Sequence, residues 1–170
     1  MLQIYCGNGK GKTSAAVGAA VRASGAGMRV YFVQFLKNGS SSEISVLDSL
    51  ENITVRTCRC CDKFTFLMNE EELAALTCEL EDMLDDALRT ASSGGADMLI
   101  LDEFLDAYEK GFVDRQKADT LTKVARNCEV ILTGRKPPES FASAADYISE
   151  ITAVKHPYQK GITARKGIEY

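Results

Sequence analysis

Apolar positions fall into two alternating patterns, short β-prone runs and longer stretches with apolar residues at three- and four-residue steps. Leu2-Gln3-Ile4-Tyr5-Cys6 reads as a first strand, and the small-residue stretch 15–21 as a helix. Residues 29–35 form a second β-prone run and 53–56 a third, with a short helix expected over 43–50. Leu73, Leu76, Leu80, Leu84, Leu88 and Ala91 mark one face of a long helix, with Asn69 and Glu72 as its cap and Gly94-Gly95 as its stop. The acidic residues on its other face read as a solvated surface.

Met98-Leu99-Ile100-Leu101 is continuously apolar, as expected of a central strand covered on both sides. A second amphipathic helix is expected over 114–126, then strands at 129–132 and 147–151. Strands that alternate with helices predict an α/β fold with a doubly wound, mainly parallel sheet. At 170 residues and 45% hydrophobic content, one core and a single domain over 1–170 are expected.

Turn chemistry then changes the picture. Gly7-Asn8-Gly9-Lys10-Gly11-Lys12-Thr13-Ser14 lies at a strand-to-helix junction. Glycines there let successive amides turn toward an anion, and a helix N-terminus adds partial positive charge. Lys12 is placed to reach a phosphate and the Thr13 hydroxyl to ligate Mg²⁺. The spacing departs from the usual phosphate loop, because Cys6 stands where the first glycine is expected and Gly7 comes one residue late.

Asp102-Glu103 closes the apolar run in the manner of a Walker-B motif, and Thr133-Gly134-Arg135 closes the strand before the break at Lys136-Pro137-Pro138. In an open parallel sheet all of these fall at strand carboxyl ends, where ligands bind. Asp102 or Glu103 facing Thr13 completes a Mg²⁺ site, and Arg135 is suited to clamp a phosphate.

Charge and cysteine usage set the remaining bounds. A net charge of −4 argues against a general nucleic-acid binder. No apolar run is long enough to span a bilayer, and a cytoplasmic location with reduced thiols is expected for the six cysteines. Cys58-Arg59-Cys60-Cys61 lacks a second ligand pair and reads as part of a plain loop over 57–68 rather than as a zinc site. The residues themselves thus reach a Mg·nucleotide-binding domain. They leave open a P-loop NTPase, a small-molecule kinase or a nucleotide-binding regulator, and offer no obvious general base.

Several motifs together resemble one family. They are the loop from Gly7 to Thr13, Arg22, Val33-Gln34-Phe35, Phe64-Thr65-Phe66, Leu101-Asp102-Glu103, Thr133-Gly134-Arg135, Val154-Lys155-His156-Pro157, Gly161 and the terminal Lys166-Gly167-Ile168-Glu169-Tyr170. In this set and order the chain resembles the P-loop type of ATP:corrinoid adenosyltransferase, in which the shortened loop is itself typical.

The resemblance implies a RecA-like P-loop fold and transfer of the 5′-deoxyadenosyl group of ATP to the Co(I) of a reduced corrinoid, with release of triphosphate. It implies that ATP lies reversed in the loop, with Asn8 and Arg22 at the nucleoside end, Lys10, Lys12 and Arg135 at the triphosphate, and Thr13 with Glu103 at Mg²⁺. It also implies Phe64 and Phe66 at the corrinoid, an electron donor such as a flavoprotein, and a homodimer. Packing against the core is the other use open to two loop phenylalanines. Two departures are noted: the chain starts at the first strand, so shielding of the corrinoid is expected to differ, and Phe66 stands where the family often has Trp.

Overall fold

In the computed structural model, which describes residues 1–168, six strands form one sheet. They are β1 (Leu2–Cys6), β2 (Val30–Gln34), β3 (Ile53–Thr57), β4 (Met98–Asp102), β5 (Glu129–Thr133) and β6 (Tyr147–Glu150). Their order is β3-β2-β4-β5-β1-β6, and each adjacent pair is parallel. One strand, β5, therefore separates β1, which leads into the glycine-rich loop, from β4, which ends in Asp102. This is a doubly wound parallel sheet, with all strand carboxyl ends along one edge.

Helices α1 (Lys12–Gly25), α2 (Ser42–Asp48), α3 (Glu70–Ser92), α4 (Phe104–Glu109), α5 (Arg115–Asp119), α6 (Leu121–Val124) and α7 (Glu139–Ala144) connect the strands. Alternate strand residues face two separate cores. Val30, Phe32, Met98, Ile100 and Ile131 pack with Ala16, Ala20 and Ala23 of α1 and Leu47 of α2. Tyr31, Val33, Leu99, Leu101, Val130 and Leu132 pack with Leu76, Leu80, Met83 and Leu84 of α3 and Phe104 of α4. Strands buried on both faces have continuous apolar sequences for this reason. The edge strand β6 is exposed along its length.

Several elements depart from the sequence pattern. The helix expected over 114–126 is instead α5 and α6, because the Thr120 hydroxyl donates to the Lys117 carbonyl at 2.6 Å and competes with the helical ladder. Helix α4 follows β4 directly from a left-handed Glu103, with φ of 59°, a start that no capping residue announces. The capping box of α3 is formed by Asn69 and Glu72. Its acidic face, however, is not simply solvated. Glu81 and Asp85 both bind Lys117 at 2.9 Å, Asp82 and Asp86 bind Arg56 at 2.5 and 2.9 Å, and Glu79 holds the loop after β3. Of the C-terminal motif, Glu169 and Tyr170 lie outside the described residues.

Candidate functional site

Cys6 closes β1 by pairing with Glu150, so the strand runs one residue further than a standard phosphate loop allows. Gly7 then turns with φ of 105°, a conformation open to glycine. Its amide donates to the Arg135 carbonyl at 2.9 Å, the Gly9 amide donates to the Ile151 carbonyl at 2.7 Å, and the Ala153 amide donates to Asn8 Oδ1 at 3.1 Å. A Cβ on Gly7 would lie 2.4 Å from the Ile151 carbonyl oxygen. The loop is thus seated on the segments that follow β5 and β6.

Beyond it, α1 begins at Gly11 with no side-chain cap and no acidic residue in its first turn. Its first amides have no carbonyl behind them within the helix and form an anion-binding terminus. Lys12 folds back, with Nζ donating to the Gly9 carbonyl at 2.9 Å.

Asp102 is the hub of the crevice beside this loop. It is fully buried and accepts from Thr13 Oγ1 at 3.1 Å, Thr133 Oγ1 at 2.7 Å and Gln34 Nε2 at 3.2 Å. Thr133 Oγ1 in turn accepts from the Glu103 amide at 2.9 Å, which fixes the left-handed turn. Gln34 Oε1 is buried and has no hydrogen-bond partner among the described residues. Side chains from β2, β4, β5 and α1 therefore meet at one point, as their strand-end positions predict.

Lys37, just after β2, carries no motif in the sequence. Its Nζ lies 3.2 Å from Glu103 Oε1, 3.6 Å from Asp102 Oδ2 and 3.4 Å from Thr13 Oγ1. Burial works against its charge, but the two carboxylates outweigh that, and Lys37 holds its proton more tightly than a free lysine. Burial pushes the Glu103 carboxyl above its usual range, and Lys37 pulls it back. The one available signal for Lys37 was its place just after the carboxyl end of β2.

The remaining candidates are less closely gathered. Arg135 follows β5, donates its amide to Asp106 at 3.1 Å and leaves its guanidinium largely exposed, 3.8 Å from the same carboxylate. Asn8, Lys10 and Ser14 are exposed around the loop. Arg22 is exposed in the last turn of α1, about 15 Å along the helix from Lys12 at ~1.5 Å per residue. The structure does not bring it to the Asp102 crevice.

The segment after β3 overhangs the same end of the sheet. The Cys58 amide donates to the Gln34 carbonyl at 3.3 Å, Asn38 Nδ2 donates to Asp62 Oδ1 at 3.1 Å, and Lys110 Nζ donates to Thr65 Oγ1 at 3.3 Å. A 3-10 turn at Thr65–Leu67 presents Phe64 and Phe66 outward, 71% and 78% exposed, with rings stacked at 5.4 Å and 12° between planes. Neither ring is used to anchor the loop in the core. The two rings form a stacked aromatic face open to solvent at this end of the sheet.

The family model described as ATP:corrinoid adenosyltransferase BtuR/CobO/CobP matches residues 1–170. The chain belongs to this family. It is similar to the corrinoid adenosyltransferase of Pseudomonas aeruginosa, at 31% identity over 100% of this chain and 83% of that protein. It is 32% identical to the corrinoid adenosyltransferase of Escherichia coli over 98% of this chain and 84% of that one. The same identity and coverage hold for corrinoid adenosyltransferase CobA of Salmonella typhimurium.

Proposed function

We propose that the crevice around Asp102 holds the Mg·triphosphate end of ATP and that the Phe64–Phe66 face holds the corrinoid. The chain is an ATP-dependent corrinoid adenosyltransferase of cobalamin biosynthesis. The observation that carries the residue-level reading is the placement of an exposed, stacked phenylalanine pair at the same sheet edge as a buried, cation-stabilising oxygen cluster.

The residues fit Mg²⁺. Lys37 marks where a cation is stabilised, and the Thr13 hydroxyl, the Glu103 carboxylate and the Gln34 amide oxygen are the hard oxygen donors this ion takes. Thr13 and Glu103 would hold the ion. Asp102, committed to three hydrogen bonds, orients Thr13 and acts through it. When bound, Mg²⁺ neutralises charge on the phosphates.

The protein's own groups then position and stabilise. The amides of the first turn of α1, with Lys10 and Lys12, hold the triphosphate, with Gly7, Gly9 and Gly11 shaping the turn, and Arg135 closes over it. Asn8 contacts the nucleoside end. Arg22, further along α1, is assigned to the same nucleoside end by resemblance to the family. The Co(I) of the corrinoid substrate attacks C5′, a Co–C bond forms, the C5′–O bond breaks, and triphosphate leaves with the electron pair. The two carboxylates of the crevice are engaged with Thr13, Thr133, Gln34 and Lys37, which suits a reaction that needs charge and position rather than a protein base.

Resemblance to the family supports an external electron donor such as a flavoprotein, a homodimer and a cytoplasmic location. Phosphorus NMR of the products tests the reading. Intact triphosphate together with adenosylated corrinoid is expected, whereas ADP and orthophosphate formed in stoichiometric amounts without a Co–C bond would refute it.

A further inference from the structure

Three thiols in four residues, Cys58, Cys60 and Cys61, sit between β3 and the aromatic turn and have no part in the reaction above. Cys58 is fully buried, Cys61 is half-buried against the same core, and Cys60 is exposed. The turn they form is gripped by one carboxylate. Glu79 of α3 accepts from Cys58 Sγ at 3.2 Å and from the amides of Arg59 and Cys60 at 2.8 and 2.7 Å.

This arrangement separates the thiols chemically. Its bond to Cys61, then burial, then Glu79 push the Cys58 thiol far above the usual range. Glu79 pushes the Cys60 thiol up. Cys61 alone is lowered, by the neighbouring Cys58 thiol, against burial and the nearby carboxylates. A half-buried thiol and a fully buried one in the same clamped turn, at C-x-x-C spacing, have the placement of a dithiol couple. With no second ligand pair in the sequence, the C-x-x-C spacing reads as redox rather than metal chemistry.

We propose that Cys58 and Cys61 form a reversible thiol–disulfide site for low-molecular-weight disulfides of the glutathione class, and that its oxidation displaces the loop carrying Phe64 and Phe66. The Cys61 thiolate attacks one sulfur of the small disulfide and expels a thiolate, which takes up a proton. Cys58 loses its proton and attacks the Cys61 sulfur of the mixed disulfide, expelling the second small thiol. The protein loses two thiols and the small disulfide is reduced to two. Cys58 then has no proton to donate to Glu79, and the turn loses one of its three hydrogen bonds to that carboxylate, six residues ahead of Phe64. A corrinoid enzyme that needs Co(I) would thereby disengage when the surroundings are too oxidising to supply it. That consequence rests on the corrinoid assignment of the aromatic turn, whereas the couple itself does not.

The experiment equilibrates the intact protein in glutathione redox buffers without oxygen, quenches with acid and alkylates. A peptide carrying a Cys58–Cys61 disulfide is expected, reversible with dithiothreitol, lost in Cys61→Ser and retained in Cys60→Ser. Glutathione found solely on Cys60 or Cys78 overturns the site. Hydrogen exchange at residues 59–68 is expected to quicken on oxidation, and unchanged protection there overturns the loop displacement. Binding of a Co(II) corrinoid in the presence of MgATP, read by absorbance, avoids strong reductants. It should weaken by at least about fivefold, the low end for coupling between sites. A disulfide that quickens exchange yet leaves corrinoid binding unaltered would uphold the couple and sink the placement of corrinoid on Phe64 and Phe66.

Discussion

The ammonium of Lys37 stands 3.2 Å from the Glu103 carboxylate, with both side chains roughly two-thirds out of water. An internal cation thus holds together two carboxylates that face a substrate crevice. Lys37→Met leaves Asp102 and Glu103 uncompensated and is expected to cost about 1 to 3 kcal/mol of stability without Mg²⁺, less than a fully buried pair would lose because solvent still screens it. Thermal unfolding with and without Mg²⁺ checks this. The deficit should shrink when the ion is added, and an equal deficit in both conditions would show that Lys37 and the ion do not share a place.

Glu103 holds a left-handed backbone conformation that costs a non-glycine residue about 1 to 2 kcal/mol. Asparagine tolerates this region better. Glu103→Asn should therefore raise the denaturant midpoint while lowering adenosylation by about 10²-fold or more, as expected for loss of a preorganised charge. A variant that is both less stable and inactive would show that the strain is not intrinsic to the residue.

The exposure of Phe66, at 78%, separates contact from packing. Phe66→Ala should change stability by less than about 0.5 kcal/mol, as surface substitutions do. Adenosylation should fall sharply when the assay starts from Co(II) with a mild reductant, and much less when Co(I) is made beforehand. Equal losses in the two assays, with a lowered melting temperature, would assign the ring a structural role.

Away from the site, Asp86 accepts from the Tyr31 hydroxyl and from Arg89 and Arg56, and these bonds hold its carboxyl at about 2. The folded pKa lies below the ordinary 3.8, so this contribution is complete above pH ~4 and is lost as pH falls toward 2. Allowing for partial exposure it amounts to about 1 kcal/mol. Asp86→Asn should flatten the fall in stability between pH ~4 and ~2, as followed by urea unfolding at stepped pH. An unaltered slope would place the acid sensitivity elsewhere.

The sheet was legible because its central strands are covered on both faces, which leaves continuous apolar runs such as residues 98–101. Thr13, Asp102 and Thr133 could be placed together because each lies at or just beyond a strand carboxyl end in a parallel sheet. Lys37 escaped because its role depends on the left-handed turn at Leu36, with φ of 52°, a backbone event with no residue signature. Helix α4 escaped for the same reason at Glu103. The acidic face of α3 looked solvated because its partners Arg56 and Lys117 are distant in sequence.

The seating of Gly7, Gly9 and Asn8 on Arg135, Ile151 and Ala153 has a consequence for biosynthesis. The loop leaves the ribosome ahead of its backing, which follows some 145 residues later, as the Asn8 to Ala153 separation shows. At ~5 to 20 residues per second that interval is roughly 7 to 30 s, during which the glycine-rich segment has no template. Nascent chains arrested before residue 147 should therefore fail to retain ATP, and chains released at full length should retain it. Competence for nucleotide in this enzyme arrives as a late event of translation, when the last strand docks.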